Sequence, residues 1–259
     1  MGRHSFSPKN VWVGIMLTLF ATGIGAGTCL AGPPFATDDP EPTDYGHFEI
    51  YLFSEATKTA NDTTGTLPGL DVNYGLLPNL QISAEIPFAF AKGDGEAAHF
   101  GYGAASFGVK YRFVEEDPDG WRPQISIFPS IEVPFDSSDR LTGGGHIREF
   151  LPVWAEKNWN DWTMFGGGGY WFNPGLGNRD YWLSGIGILH RFTSDFALGA
   201  EVFHQSADTR NSEDNSGVNV GFIYDLTDML HLVGSAGTGI ENRAATNELS
   251  YYFAIEWTP

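Results

Sequence analysis

Leu80-Gln81-Ile82-Ser83-Ala84-Glu85-Ile86-Pro87-Phe88 decides the fold. One parity is apolar, while the other carries Gln81, Ser83 and Glu85. A period of two with a single apolar face is a β-strand with one wet side. The pattern recurs: Ile125, Ile127, Ile131 and Val133 alternate with Gln124, Ser126, Ser130 and Glu132. It returns in Val218, Val220, Phe222 and Tyr224, and again in Leu249, Tyr251, Phe253, Ile255 and Trp257. Such runs give about twelve strands, at 45–56, 66–76, 80–90, 100–114, 121–134, 146–156, 161–171, 181–192, 195–206, 216–225, 229–240 and 248–257.

The connections alternate in length. Short turns (77–79, 115–120, 157–160, 193–194 and 226–228) fall at one end of an up-and-down sheet. Longer polar or Gly-rich loops (57–65, 91–99, 135–145, 172–180, 207–215 and 241–247) fall at the other. An even count of strands near ten residues, with short turns at one end, is the pattern of a transmembrane barrel. Ten residues at about 3.3 Å each, tilted about 45°, span roughly 24 Å, the height of a membrane's apolar band. A sheet crossing lipid must close on itself to satisfy its backbone. The expected fold is therefore all-β: a closed antiparallel up-and-down transmembrane β-barrel of about twelve strands. Tyr74, Tyr111, Phe113, Trp121, Trp154, Trp159, Trp162, Phe192, Phe196, Tyr224 and Trp257 all map near the short-turn end, as an interfacial girdle would.

Composition excludes several alternatives. The 259 residues carry 32 acidic and 14 basic side chains, 33 glycines and one cysteine. So thin a basic complement makes nucleic acid a poor partner, and one cysteine cannot build a disulfide framework. The basic start (Arg3, Lys9), the apolar run 11–20 and the small-residue exit at Ala31 read as a secretory signal peptide over residues 1–31, with cleavage after Ala26 as the second choice. Residues 32–44, with Asp38, Asp39 and Glu41, then read as a solvated acidic periplasmic arm, and 45–259 as an outer-membrane barrel.

Specific motifs accompany this pattern: Gly32-Pro33-Pro34-Phe35-Ala36-Thr37-Asp38-Asp39-Pro40, Tyr45-Gly46-His47-Phe48-Glu49, Val72-Asn73-Tyr74-Gly75, Leu77-Pro78-Asn79-Leu80-Gln81 and Phe107-Gly108-Val109-Lys110-Tyr111-Arg112-Phe113. They resemble the outer-membrane family described as "putative MetA-pathway of phenol degradation", across essentially the whole mature chain. The resemblance implies a barrel passing small, often aromatic or apolar, compounds. It brings no catalytic or ligand motif with it.

Strand parity assigns the wet face, and in a barrel that face is the lumen. The expected lining is Glu49, Asp71, Asn73, Glu85, Lys110, Arg112, Gln124, Glu132 and Glu201. The tight turn at Pro78 sets Asp71 opposite Glu85 and Asn73 opposite Ser83; two facing acids repel, so Lys110 and Arg112 on the next strand are expected to neutralise them. No Gly-x-Ser-x-Gly elbow or His-x-Ser pairing supplies a nucleophile with its base. The six histidines after residue 31 show no i,i+2 or i,i+4 pairing for zinc. No enzyme activity, cofactor or metal is expected. The function expected is passive diffusion of small solutes through an acidic lumen, with outer-membrane lipid and the barrel-insertion machinery as partners. A plugged, non-conducting surface barrel is the alternative, and a lipid-acting barrel enzyme a remote one.

Overall fold

A computed structural model describes residues 34–135 and 145–259. The segment read as a signal peptide, Cys29 and most of the 135–145 loop lie outside the described residues. The described strands are β1 (Phe48–Lys58), β2 (Asp62–Leu77), β3 (Leu80–Gly93), β4 (His99–Tyr102), β5 (Ala105–Val114), β6 (Gln124–Ile127) and β7 (Ser130–Val133). They continue with β8 (Arg148–Trp159), β9 (Trp162–Phe172), β10 (Tyr181–Thr193), β11 (Phe196–Gln205), β12 (Asn215–Thr227), β13 (Leu230–Gly239) and β14 (Leu249–Trp257). One helical turn, α1 (Arg243–Thr246), precedes β14.

Successive staves pair antiparallel, and β14 pairs with β1 from Ile50↔Trp257 to Lys58↔Leu249, closing the sheet. Two of the staves are carried in halves. β4 and β5 both pair with β3, and β6 and β7 both join β5 to β8. The result is a closed barrel of twelve antiparallel staves. Closure of β14 on β1 removes the two long edges an open sheet would present. The β6–β7 break falls at Phe128-Pro129, because proline has no N–H to give the ladder. The wall is carried across the break by the Phe128 N–H to the Pro152 carbonyl (3.3 Å) and the Val109 N–H to the Pro129 carbonyl (3.0 Å).

Turn chemistry fits the short end. β8 and β9 are joined by Asn160-Asp161, with Trp159 paired to Trp162. Asn160 takes φ 53°, a left-handed value that Asn tolerates better than most residues. At the long-loop end the first hairpin departs from the 57–65 loop expected from sequence. Strands β1 and β2 continue to Lys58↔Thr63, leaving only residues 59–61 as a loop. The β-branched Thr57, Thr63 and Thr64 favour extending the ladder, which outweighs their polarity.

The outward face is apolar: Leu52, Ile82, Ile86, Val109, Ile186, Ile188, Val220 and Phe253 are all exposed. An apolar band on that scale demands an apolar solvent. At the short-turn end, Phe113, Trp121, Trp159, Trp162, Phe192 and Trp257 also face outward. They are joined by ring contacts such as Phe192–Phe196 (6.3 Å) and Phe196–Tyr224 (6.4 Å). Trp154 departs from the girdle. It is 1% exposed and packs inside the barrel against Phe150, ring centroids 6.4 Å apart. In β8 both parities are apolar, with Leu151 and Val153 outside and Phe150 and Trp154 inside, so alternation alone does not say which side faces lipid.

Candidate functional site

The interior combines a polar network organised by strand register with a buried apolar cluster of Phe165, Leu189, Ala197, Ile223 and Val233. Asp71 stands opposite Glu85 and Asn73 opposite Ser83, as the turn at Pro78 dictates. Asn73 donates to Asp71 (Nδ2–Oδ2 3.2 Å) and accepts from Gln81 (2.9 Å). Arg112 donates to Gln124 (2.9 Å), and Gln124 donates onward to Glu156 (2.9 Å), a buried acid absent from the expected lining. Glu132 is held by Arg148, whose guanidinium lies over the Trp171 ring. Tyr51 donates to Glu256 (2.9 Å).

Lys110 and Arg112 form their ion pairs elsewhere than with Asp71 and Glu85. Lys110 pairs with Asp38 (3.3 Å) and Asp39 (3.5 Å), and Arg112 reaches Glu41 (3.8 Å). No ion pair among the described residues involves Asp71 or Glu85. The cations are instead taken by the segment before β1. That segment is not a solvated arm: Pro34, Thr37, Asp39, Pro40, Pro42 and Thr43 are buried.

From Tyr45, which bridges to Gly75 at the short-turn end, the arm runs into the barrel and across its lumen. Thr43 donates to Gln81 through both its backbone N–H (2.8 Å) and its hydroxyl (3.1 Å). Farther along, the Glu201 carboxylate accepts the N–H groups of Ala36 (2.7 Å) and Thr37 (2.9 Å), and is braced by Asn219 (2.6 Å). Ser235 donates to the Pro34 carbonyl (2.5 Å), and Phe35 packs on Phe165 (5.5 Å between ring centroids). Glycine clears the track. A Cβ on Gly185 would collide with Thr37 Oγ1, and one on Gly75 would collide with the Asp44 carbonyl oxygen. Burial pushes the Asp39 carboxyl well above its ordinary range against the pull of Lys110, and raises Glu41 against the pull of Arg112.

The arm divides the lumen. Toward the short turns lies a chamber of about 660 Å³, lined by Glu49, Asp71, Asn73, Glu85, Lys110 and Glu256 together with Asp38, Asp39 and Glu41 of the arm. Ten carboxylates line it against two basic side chains, Lys110 and Arg191. On the other side lies a chamber of about 320 Å³ lined by Pro34, Phe35, Ala36, Glu55, Phe203, Asn219 and Tyr252. Phe35 borders both.

Histidines distant in sequence meet hydroxyls in the fold. His204 Nδ1 lies 2.8 Å from Ser216 Oγ, and Ser216 in turn donates to Glu241 (2.7 Å). His231 bridges Asp225 (2.7 Å) and Thr258 (3.2 Å), and Arg191 adds a second contact to Asp225 (3.2 Å). This network ties β10, β12 and β13 to the chain end. Among the described residues no cluster of His, Cys, Asp or Glu has the geometry of a metal site.

Solved structures of similar fold are barrels. A COG4313 outer membrane channel from Pseudomonas putida F1 superimposes with TM-score 0.71 at 10% identity, covering 85% of this chain and 98% of that one. The KdgM porin, solved with disordered oligogalacturonate, gives TM-score 0.55 at 11% identity, covering 80% and 98%. The NanC porin gives 0.52 at 11%, covering 80% and 97%. No curated protein matches the sequence. The family described as "Putative MetA-pathway of phenol degradation" matches residues 33–255, strands, lumen and arm together, and the chain belongs to that family.

Proposed function

We propose that this protein is an outer-membrane channel that passes small solutes, favours cations, and has its bore set by its own N-terminal arm. The observation that carries the reading is the inner chamber, with ten carboxylates against two basic side chains in a closed barrel. Rings of acid in a low-dielectric wall raise the local concentration of cations and repel anions. The fold shared with channels and porins supports the same reading, and so does the apolar outer band. A twelve-stave barrel is narrow once its side chains are in place, and the arm narrows it further. Solutes must therefore be small, or the arm must move.

The test is conductance and reversal potential in a planar bilayer, for the mature chain and for a deletion of residues 34–43. A small cation-selective conductance that grows on deletion is expected. Glu85→Gln, which removes an acid without an ion-pair partner among the described residues, is expected to reduce the selectivity. The contacts to Glu201, Lys110 and Gln81 favour a second reading, a barrel held shut by its arm and serving as a surface protein. Silence from both the mature chain and the deletion variant would decide for it.

A further inference from the structure

We propose that the chamber beyond the arm is a binding subsite for a small organic cation, an ammonium group carried on an apolar or aromatic body. Its volume, about 320 Å³, is at the low end of the roughly 300–1,000 Å³ typical of small-molecule sites. Its walls are aromatic: Phe35 at the floor, Phe203, and Tyr252 stacked on Phe53 at 5.6 Å. Its one acid, Glu55, stands among hydroxyls that include Thr57, Thr64, Ser235 and Ser250. Glu55 lines the chamber with one hydrogen bond, from Thr66 Oγ1 at 3.4 Å, and no basic side chain among the described residues shares that lining. Asn247 and Asn215 also line it, with side-chain oxygens turned away from the chamber and buried.

A carboxylate with one long hydrogen bond and no basic neighbour in the lining favours a donor-rich, positively charged group. Aromatic faces add attraction for a desolvated ammonium. An anion meets Glu55 unfavourably, and a neutral solute leaves its charge uncompensated. An inorganic cation is a poor occupant, because it makes no use of the aromatic walls and meets a single carboxylate, Glu55, in the lining.

This refines the cation preference proposed above, but its test is equilibrium binding, which does not require the barrel to conduct. Benzylammonium, benzyl alcohol and benzoate are titrated calorimetrically into the mature protein in detergent micelles, with protein-free micelles as the baseline. Benzylammonium is expected to bind saturably at one site, the alcohol at least tenfold more weakly, and benzoate not at all. Glu55→Gln is expected to weaken benzylammonium about tenfold or more while keeping heat-modifiable gel mobility. Tyr252→Leu is expected to weaken it with Glu55 intact. Indistinguishable binding of the three compounds to the wild-type protein overturns the proposal without recourse to any variant. So does unchanged affinity in folded Glu55→Gln.

Discussion

Replacing Glu201 with alanine isolates what holds the arm. The carboxylate is 2% exposed and accepts the N–H groups of Ala36 at 2.7 Å and Thr37 at 2.9 Å. Hydrogen bonds to a charged group contribute about 1.5–3 kcal/mol each. At the low end two of them amount to about 3 kcal/mol, or roughly a hundredfold in the balance between docked and released arm. Replacing the sole cysteine, Cys29, with serine gives a cysteine-free background wherever the chain is processed. Thr37, 1% exposed when docked, is then converted to Cys and its rate of modification by a water-soluble maleimide is measured in micelles. When opening is fast relative to labelling, that rate follows the released fraction. Glu201→Ala is expected to speed labelling of Thr37→Cys by up to about a hundredfold, and Glu201→Gln, which keeps one acceptor oxygen, by less. Equal rates with Glu201 intact and with Glu201→Ala, both proteins being folded by gel mobility, would refute the assignment of Glu201 as the dock.

Gly185→Val reaches the same endpoint by another route. Its Cβ would intrude on Thr37 Oγ1, so fast labelling of Thr37→Cys is expected with Glu201 untouched, whereas slow labelling would mean that the arm does not follow this track. The arm also responds to pH. Burial raises Asp39 and Glu41 above their free values, so the docked arm binds protons more tightly than the released arm. Lowering the pH therefore favours docking. Release grows as pH rises above the ordinary carboxylate range near 4, so conductance is expected to increase toward neutrality, with a shallower slope in Asp39→Asn; a slope unaffected by that change would remove Asp39 from the account. Trp154→Ala, emptying a buried site, is expected to cost about 3–5 kcal/mol, seen as a large drop in the urea midpoint, whereas Trp121→Ala, 87% exposed, is expected to change it little.

The wall is legible in the sequence because each stave has one apolar parity. Leu80–Phe88 and Leu249–Trp257 can place their side chains only one way round, and a turn at Pro78 then sets the Asp71–Glu85 register. Legibility fails where that asymmetry fails. Trp154 sits on a strand apolar on both sides, and Arg148 and Glu149 put a charge on each parity. The arm escapes a local reading for a different reason. Asp38, Asp39 and Glu41 resemble a solvated acid run when seen on their own, since their partners Lys110 and Arg112 lie about seventy residues away. One signal does point to it. Lys110 and Arg112 have lumen parity, so an acidic segment entering the lumen would find two cations within reach. Residues 34–37 dock largely through backbone groups on Glu201 and Ser235, contacts that no side-chain pattern encodes.

The arm is also a tether. Its eleven residues from Pro34 to Asp44 reach at most about 37 Å when extended, and its root is fastened to the wall where Tyr45 meets Gly75. A released arm therefore stays near the mouth at an effective concentration on the order of millimolar. It rebinds as a first-order event whose rate does not fall on dilution. Unblocked intervals would then be brief and recurrent, giving flickering current rather than a lasting change of state. A free peptide of the same sequence would have to approach millimolar levels to compete for Glu201. Lengthening the chain between residue 43 and β1 should prolong each interval while leaving every contact inside the barrel as it is.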